Sequence, residues 1–328
     1  MKILASCSEE VKQLLPVKEC IDAMEMMFRS LATQETTISE RLIISLSRGR
    51  GHLLVMPSSY KDLVSTKIMT IFNENARTSF ETIQGAVMIF DGENGRLLGI
   101  IDSNRLTAIR TAAVSALATK LLARSDATRL AILGSGTQAA AHLEAMSFAR
   151  NISKVRVWSR TRNHAKTLAN KAANLDAAVV DSVQEAVHNA DIICTATSSP
   201  VPILSRSWLS EGCHINAIGA YSETTREIDT ETVKDSLLFV DSRIAAMKEA
   251  GDFLIPKKEG EVTDEHILGE LSELVTGSVK GRTDANEITL FKSVGLAVED
   301  AAAGKLLYQN ASKESKGTWI EFGSEREL

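Results

Sequence analysis

The feature that most constrains the fold is an apolar segment that runs directly into a glycine-rich turn. Residues 130–133 read LAIL, and Gly134, Gly136 and Ala139 follow in a GxGxxA pattern. The first glycine permits a tight turn, the second lets a pyrophosphate approach the backbone, and the alanine lets the next helix pack closely on the strand. Taken alone, the pattern could also be an ordinary strand-turn-helix. We interpret it as a dinucleotide-binding turn whose contact residues are Gly134, Ser135, Gly136, Thr137 and Gln138.

Regular alternation of strand-like and helix-like segments after Asp126 supports that interpretation. Apolar segments recur at Val155 to Trp158, Ala177 to Val180, Ile192 to Thr195 and Ile215 to Ile218, and helical patterns separate them. We expect Leu237 to Val240 to end the series. Such alternation is typical of an α/β fold with a Rossmann-type, doubly wound parallel sheet.

The first third of the chain has a different pattern. A helix is predicted from Val17 to Ala32, and a mainly antiparallel sheet follows. A long alanine-rich helix, Asn104 to Leu122, then leads to the Rossmann segment, and the helix Leu296 to Leu307 is expected to return to the first domain. The strands of the antiparallel sheet are predicted at Arg41 to Leu46, His52 to Met56, Ser65 to Phe72, Ile83 to Phe90 and Leu97 to Ile101. We therefore predict a discontinuous α+β domain, residues 1–124 with 295–328, and a dinucleotide-binding domain, residues 125–294.

The end of the second Rossmann strand indicates the cofactor. An NAD-specific site carries an acidic residue there for the ribose hydroxyls, whereas this chain reads Ser159, Arg160, Thr161 and Arg162. Guanidinium and hydroxyl groups suit a 2′-phosphate. The alternative is that the arginines are solvated surface residues. The absence of an acid favours NADP(H), with NAD(H) as a second possibility.

Composition excludes several other classes of function. The formal net charge is −5 without a long basic run, which argues against a nucleic-acid partner. The four cysteines form no CxxC pair, so neither a metal site nor a disulfide framework is predicted. The chain also lacks an apolar stretch long enough for a membrane span, so we expect a cytoplasmic protein.

Several segments together resemble the ornithine cyclodeaminase and mu-crystallin family. They are residues 106–115 (LTAIRTAAVS), the turn at Gly134, residues 215–219 (INAIG) and residues 291–300 (FKSVGLAVED). The family includes cyclodeaminases, alanine dehydrogenases, ketimine and cyclic-imine reductases, and a hormone-binding crystallin. The resemblance implies a homodimer, in which paired first-domain sheets would cover an apolar face.

The resemblance also implies an active site built on three cations, Arg41, Lys67 and Arg110. Arginine can grip the planar carboxylate of an imino or amino acid in a fork. Lys67 shares a strand face with Met69 and Ile71, so we expect apolar surroundings and, near two arginines, a lowered pKa that suits proton transfer. The alternatives are structural ion pairs for the arginines and a strand-edge position for Lys67. The implied nicotinamide pocket consists of Thr111, Thr197, Ser198 and Val294.

One position departs from the cyclodeaminase pattern. Where ornithine cyclodeaminases carry an aspartate after the glycine, this chain has Ala220 and then Tyr221, which we place at the substrate. Tyrosine cannot supply a carboxylate base. We therefore predict an NADPH-dependent reductase of a C=N bond in a small imino acid, either a cyclic ketimine such as pyrroline- or piperideine-2-carboxylate or an open-chain imine. Two alternatives stay open: an ornithine cyclodeaminase that recycles NAD, and a non-catalytic, crystallin-like protein that binds NADPH and a small ligand.

Overall fold

A computed structural model describes residues 2–33, 36–46, 50–72, 74–75 and 78–323. The chain forms two compact units, Met1–Arg110 with Leu296–Leu328 and Thr111–Gly295. The first division lies inside a predicted helix, 14 residues before the expected boundary at 124, and the second lies within one residue of the expected one. The difference arises because the helix Ser103–Leu122 is continuous through the division, so no linker marks it in the sequence.

The first unit is built on a mixed sheet. The strands lie in the order β16-β1-β7-β6-β5-β4-β2, with β3 also paired to β4; β1 and β7 are parallel, and the other described pairs are antiparallel. The strands and helices of this part are β1 (Lys2–Ser6), α1 (Ser8–Leu14), α2 (Val17–Ala32), β2 (Thr36–Ile38), β3 (Leu42–Ser45), β4 (His52–Tyr60), β5 (Leu63–Ile71), β6 (Ile83–Asp91), β7 (Leu97–Asp102), α3 (Ser103–Leu122), α11 (Ala297–Glu314) and β16 (Trp319–Glu321).

Helices α2 and α11 pack on each other, and α11 covers β4 and β5. Residues of β4 and β5 alternate between inward and outward positions, as a half-buried strand requires. The outward side chains of this sheet include exposed apolar residues, among them Leu42, Ile44, Val64 and Ile68. Burial therefore alternates along these strands, but the exposed face of the sheet carries apolar side chains.

The second unit contains a sheet in which every described pair of strands is parallel. Its order is β10-β9-β8-β11-β12-β15-β13-β14. The elements are β8 (Arg129–Leu133), α4 (Thr137–Ala149), β9 (Lys154–Trp158), α5 (Arg162–Ala169), β10 (Asp176–Val179), α6 (Val183–Val187), β11 (Ile192–Thr195), β12 (His214–Ala217), α7 (Thr230–Lys234), β13 (Ser236–Val240), α8 (Arg243–Glu249), α9 (Gly251–Lys258), β14 (Ile267–Glu270), α10 (Leu271–Thr276) and β15 (Ile288–Lys292). The direction of the connections reverses between β8 and β11, which is the switch point of a Rossmann-type sheet. The predicted fold class is thus confirmed.

The expectation that Val240 ends the series is wrong. Strand β14 extends the sheet beyond β13, and β15 lies between β12 and β13. All five residues of β15 are buried, because a central parallel strand is covered on both faces. A short apolar strand of this kind has no alternating pattern, so the sequence does not show which neighbours it pairs with.

Candidate active site and cofactor site

Lys67 lies in the middle of β5, in the first unit, and points inward. Its side chain is 1% exposed, which excludes the strand-edge interpretation. The inward positions of β5 alternate with exposed Val64 and Ile68, so the backbone itself turns the lysine toward the helix layer. A lysine in this position needs a charged partner, because burying an unpaired ammonium is costly.

That partner is Asp300, in the first turn of α11. Lys67 Nζ lies 2.7 Å from Asp300 Oδ2, and the other oxygen, Oδ1, accepts a hydrogen bond of 3.0 Å from Arg110 Nε. Arg110 also donates through NH1 to Glu299 Oε2 at 2.6 Å. All four side chains are buried. Asp300 therefore joins the two cations, and the start of α11 stabilises both acids through the helix dipole.

Burial and charge act in opposite directions on this cluster. The pKa of Lys67 is lowered from 10.5 to about 8, because burial, the largest effect, and the charge of Arg110 together outweigh the opposite effect of Asp300. The lowered pKa that we predicted is confirmed, but desolvation rather than a neighbouring arginine is its main cause. Burial alone would raise the pKa of Asp300, yet Arg110 and Lys67 hold it below its ordinary value. The aspartate is thus charged, and the lysine exchanges its proton near neutral pH.

The two predicted arginines have different surroundings. Arg110 makes ion pairs, as expected if its role is structural. That it also binds a substrate carboxylate stays a prediction. Arg41 lies one residue before β3, and its side chain is half-buried. Its place beside Lys67 also stays a prediction.

The predicted cofactor residues of the second unit, except Thr111, follow strands of one parallel sheet. The loops after β8, β9, β11 and β15 carry Gly134 to Gln138, Ser159 to Arg162, Thr197 with Ser198, and Val294. Because carboxyl ends of parallel strands share one edge, these loops lie along that edge, where Rossmann-type sheets bind nucleotides. Thr111 is buried in α3.

The turn after β8 fits a pyrophosphate. Gly134 has φ +123°, and a Cβ there would overlap the carbonyl oxygen of Ala196. At Gly136 a Cβ would instead lie more than 4 Å from the other described residues, so the backbone is open to a ligand. Among the described residues no side chain caps the first N–H groups of α4, and Gln138 Oε1 is buried without a partner. Open backbone and uncapped donors are what a phosphate group requires.

The segment after β9 is tied to this turn. Ser135 Oγ and Ser159 Oγ are 2.7 Å apart, so the two loops share a hydrogen bond. Arg160 and Thr161 are exposed, whereas Arg162 is ion-paired with Asp181 in the loop after β10. Arg160 is thus the more accessible of the two guanidinium groups for a 2′-phosphate.

Buried carboxylates fix the remaining loops of this edge. Asp241 Oδ2, at the end of β13, accepts from Val294 N at 2.7 Å, Gly295 N at 2.8 Å and Ser293 Oγ at 3.0 Å. Thr197 donates both its N–H and its hydroxyl to Glu227 Oε1, each at 2.7 Å. Tyr221, after β12, is 48% exposed. Its predicted contact with substrate stays a prediction.

Sequence reasoning missed the acids that organise both units. Glu299 and Asp300 appeared in the family-like segment but not as site residues, and Glu227 and Asp241 were not noticed. For Glu299, Asp300 and Asp241 the available signal was an acidic residue inside or directly after an apolar segment, as in LAVED and LLFVD, whereas Glu227 lies in the polar segment TTREID and has no such signal. Acids in such places are buried and therefore require partners.

The described residues lack two kinds of feature. They contain no group of three or more histidine, cysteine or acidic side chains that could hold a metal ion. No helix formed by the described part of the chain combines the length and apolar character that crossing a membrane requires.

Comparison with known proteins agrees with this arrangement. A profile of the ornithine cyclodeaminase/mu-crystallin family matches residues 1–315. Ketimine reductase mu-crystallin of Mus musculus is 41% identical over 274 residues, which are 83% of this chain and 84% of the relative.

Two solved structures are similar over nearly the whole chain. Δ1-pyrroline-2-carboxylate reductase of Thermococcus litoralis, in complex with NADH and L-proline, is 36% identical, with a TM-score of 0.93 over 96% of this chain and 99% of that one. An archaeal alanine dehydrogenase dimer with bound NAD has the same TM-score of 0.93 at 29% identity, over 98% of this chain and 100% of that one. The match of residues 1–315 and the 41% identity show that the chain belongs to the ornithine cyclodeaminase/mu-crystallin family.

Proposed function

We propose that the protein is an NADPH-dependent reductase of the C=N bond of a small imino acid. One observation carries the proposal: the buried lysine whose pKa is about 8, ion-paired to Asp300 in a chain that also has a nucleotide-binding sheet. A lysine that exchanges protons near neutral pH suits acid–base work at a nitrogen. The similar proteins named ketimine reductase and pyrroline-2-carboxylate reductase support the same class of substrate.

Charge balance in the cluster indicates how an anionic substrate is held. The described ion pairs join Lys67 and Arg110 to Glu299 and Asp300, so each of these cations already has an acidic partner. A substrate carboxylate would bind more favourably with a further cation close to the cluster. Arg41 would supply that charge. Arg110, which its two acids hold in a fixed orientation, would orient the substrate carboxylate.

NADPH, when bound, supplies the hydride that reduces the imine carbon. Lys67 would give its proton to the imine nitrogen, and this proton together with the hydride would convert the C=N bond to CH–NH. The neutral lysine then regains a proton from solvent. Asp300 keeps the ammonium in place before the transfer, and its negative charge maintains the protonated form at neutral pH.

Cofactor selection rests on the loop after β9. Ser159, Arg160 and Thr161 would bind the 2′-phosphate, with Arg162 sharing its guanidinium between the phosphate and Asp181. Gly134 to Gln138 would hold the pyrophosphate, and Thr111, Thr197, Ser198 and Val294 would surround the nicotinamide.

We also propose a homodimer through the outer face of the first unit's sheet. Leu42 is 55% exposed and Ile44 and Val64 are each 45% exposed, and the strand pairing puts them on the same face as exposed Ile68. An apolar patch of this kind is normally covered by a partner. The alanine dehydrogenase of similar fold is described as a dimer.

A substrate panel tests the proposal. Purified protein should oxidise NADPH with cyclic 2-carboxylate imines or with imines formed from a 2-oxo acid and an amine. Ornithine with NAD should give no appreciable proline and ammonia, because Tyr221 offers no carboxylate. Proline formation at enzymatic turnover would favour the cyclodeaminase, and NADPH binding without turnover of any imine would favour a binding protein.

A further inference from the structure

Glu227 is a fully buried carboxylate that accepts four hydrogen bonds from the last residue of β11 and from the loops after β11 and β12. Oε1 accepts from Thr197 N–H and Thr197 hydroxyl, and Oε2 accepts from Thr195 hydroxyl and Gly219 N–H, each at 2.7 Å. Four donors saturate a carboxylate, which has only acceptors when it is ionised. One side chain therefore holds two neighbouring loops at a fixed spacing.

Gly219 makes this spacing possible. A Cβ at this position would overlap the carbonyl oxygen of Thr197 and lie 2.6 Å from Cδ and Oε1 of Glu227. The loop after β12 thus touches both the loop after β11 and the carboxylate beneath it. The glycine of the family-like segment INAIG is explained by this contact rather than by an unusual backbone angle.

Two further buried side chains, Asp252 and Lys292, hold Glu227 in place. Asp252 Oδ1, in α9, accepts from Glu227 N at 2.7 Å and from Ile228 N at 3.1 Å. Lys292 Nζ, at the end of β15, lies 3.0 Å from Asp252 Oδ2 and donates to the carbonyl oxygens of Ala217, at 3.2 Å, and Ala220. Lys292 therefore binds both Asp252, which holds the backbone of Glu227, and the loop that precedes Tyr221.

Burying these charged groups costs free energy, so a gain in stability does not explain why they are present. Burial, and then the charge of Asp252, raise the pKa of Glu227, while the threonine hydroxyls and Lys292 oppose them. An apolar core of equal volume is often as stable as a buried ionic group, whereas a saturated polar network allows only one arrangement of its members. The network is best explained by the geometry that it imposes on the two loops.

We propose that Glu227 is a positioning residue for the nicotinamide half of the cofactor. The inference rests on the proposed function, which places Thr197 and Ser198 at the nicotinamide. Glu227 acts through Thr197 and Gly219, and Asp252 and Lys292 keep it in place. The adenine half is bound by the loops after β8 and β9, which receive none of the Glu227 hydrogen bonds described above.

Because different loops are proposed to bind the two halves of the cofactor, the binding of each half can be tested separately. Glu227→Gln keeps the shape but turns an amide NH₂ toward the backbone N–H of Thr197 or of Gly219, which cannot accept a hydrogen bond, so the loops lose their spacing. NADPH should bind about 10- to 100-fold more weakly, as expected for lost hydrogen bonds to a charged acceptor. Adenosine 2′,5′-bisphosphate, which lacks the nicotinamide half, should bind as tightly as to wild type. Both affinities are measured by calorimetry, and kcat should fall while the KM for the imine changes little.

Arg160→Ala is the matched control, because it should weaken NADPH and adenosine 2′,5′-bisphosphate alike. If Glu227→Gln does not fold, Thr195→Val removes one of the four donors and should give a smaller loss of the same kind. Unchanged NADPH affinity and kcat in the folded variant, or equal loss of both ligands, would overturn the inference. Failure of the wild type to bind either nicotinamide cofactor would instead overturn the proposed function.

Discussion

The charge of Asp300 should set the pH at which the reductase loses activity. The carboxylate lies 2.7 Å from Lys67 Nζ, and both groups are buried. The proposed reaction requires a protonated lysine, so wild-type kcat should fall as the pH rises through about 8. Asp300→Asn keeps the shape of the side chain and removes the negative charge that raises the pKa of Lys67. The pKa should therefore fall, and the alkaline loss of activity should move to lower pH.

The size of the change follows from the contact. An opposite charge at this distance typically changes a pKa by about 1–3. Starting from about 8, Lys67 in the variant should have a pKa of about 5–7. At pH 7 the protonated fraction would then fall from about nine-tenths to about one-tenth for a pKa of about 6. Arg110 keeps its bond to Glu299, so the remaining cation is not left unpaired.

The assay is the initial rate of NADPH oxidation at saturating cofactor and imine across the pH range. The imine itself titrates equally in both measurements, so the difference between the two profiles belongs to the protein. Glu299→Gln is the matched control. Glu299 bonds Arg110 at 2.6 Å but has the weakest of the effects on the pKa of Lys67. It should raise the KM for the imine and move the alkaline limb much less. An alkaline limb that stays near 8 in Asp300→Asn, or equal movement in both variants, would refute the role assigned to Lys67.

Three further perturbations test other parts of the proposal. Lys67→Met should lower kcat by about 100-fold or more without changing NADPH affinity, since the substitution keeps the length of the side chain and alters none of the proposed cofactor contacts; a loss confined to KM would contradict proton transfer. Arg160→Ala should weaken NADPH, measured by its KM, by about 1.5–3 kcal/mol and leave NADH nearly unchanged; a wild-type preference for NADH would contradict the cofactor assignment. Ile68→Glu, on the exposed face of β5, should give a monomer in sedimentation with little loss of folding, because a charge there opposes burial in an interface. A monomeric wild type at micromolar concentration would contradict the dimer.

Local patterns were sufficient for the elements that depend on neighbouring residues. The helix Val17–Ala32 has the predicted ends, because its apolar residues recur at helical spacing over four turns. The turn at Gly134 and the strands from β8 to β12 also lie within about two residues of their expected positions, within the usual error of an element boundary. Glycine at a required backbone angle and strict alternation of strands and helices are properties of short segments. They can be recognised without knowledge of the rest of the chain.

The Rossmann-type sheet, the family and the inward direction of Lys67 could all be predicted from the sequence, because each is recognised from patterns within short segments. Only the tertiary structure shows which buried charged side chains are partners. Asp300 reaches Lys67 and Arg110 from a helix at the other end of the chain, and Glu227 joins two loops from outside both. It also placed β15 between β12 and β13. A buried strand or a buried acid shows in the sequence that it needs a partner, but the partner is chosen by packing between segments far apart in the chain.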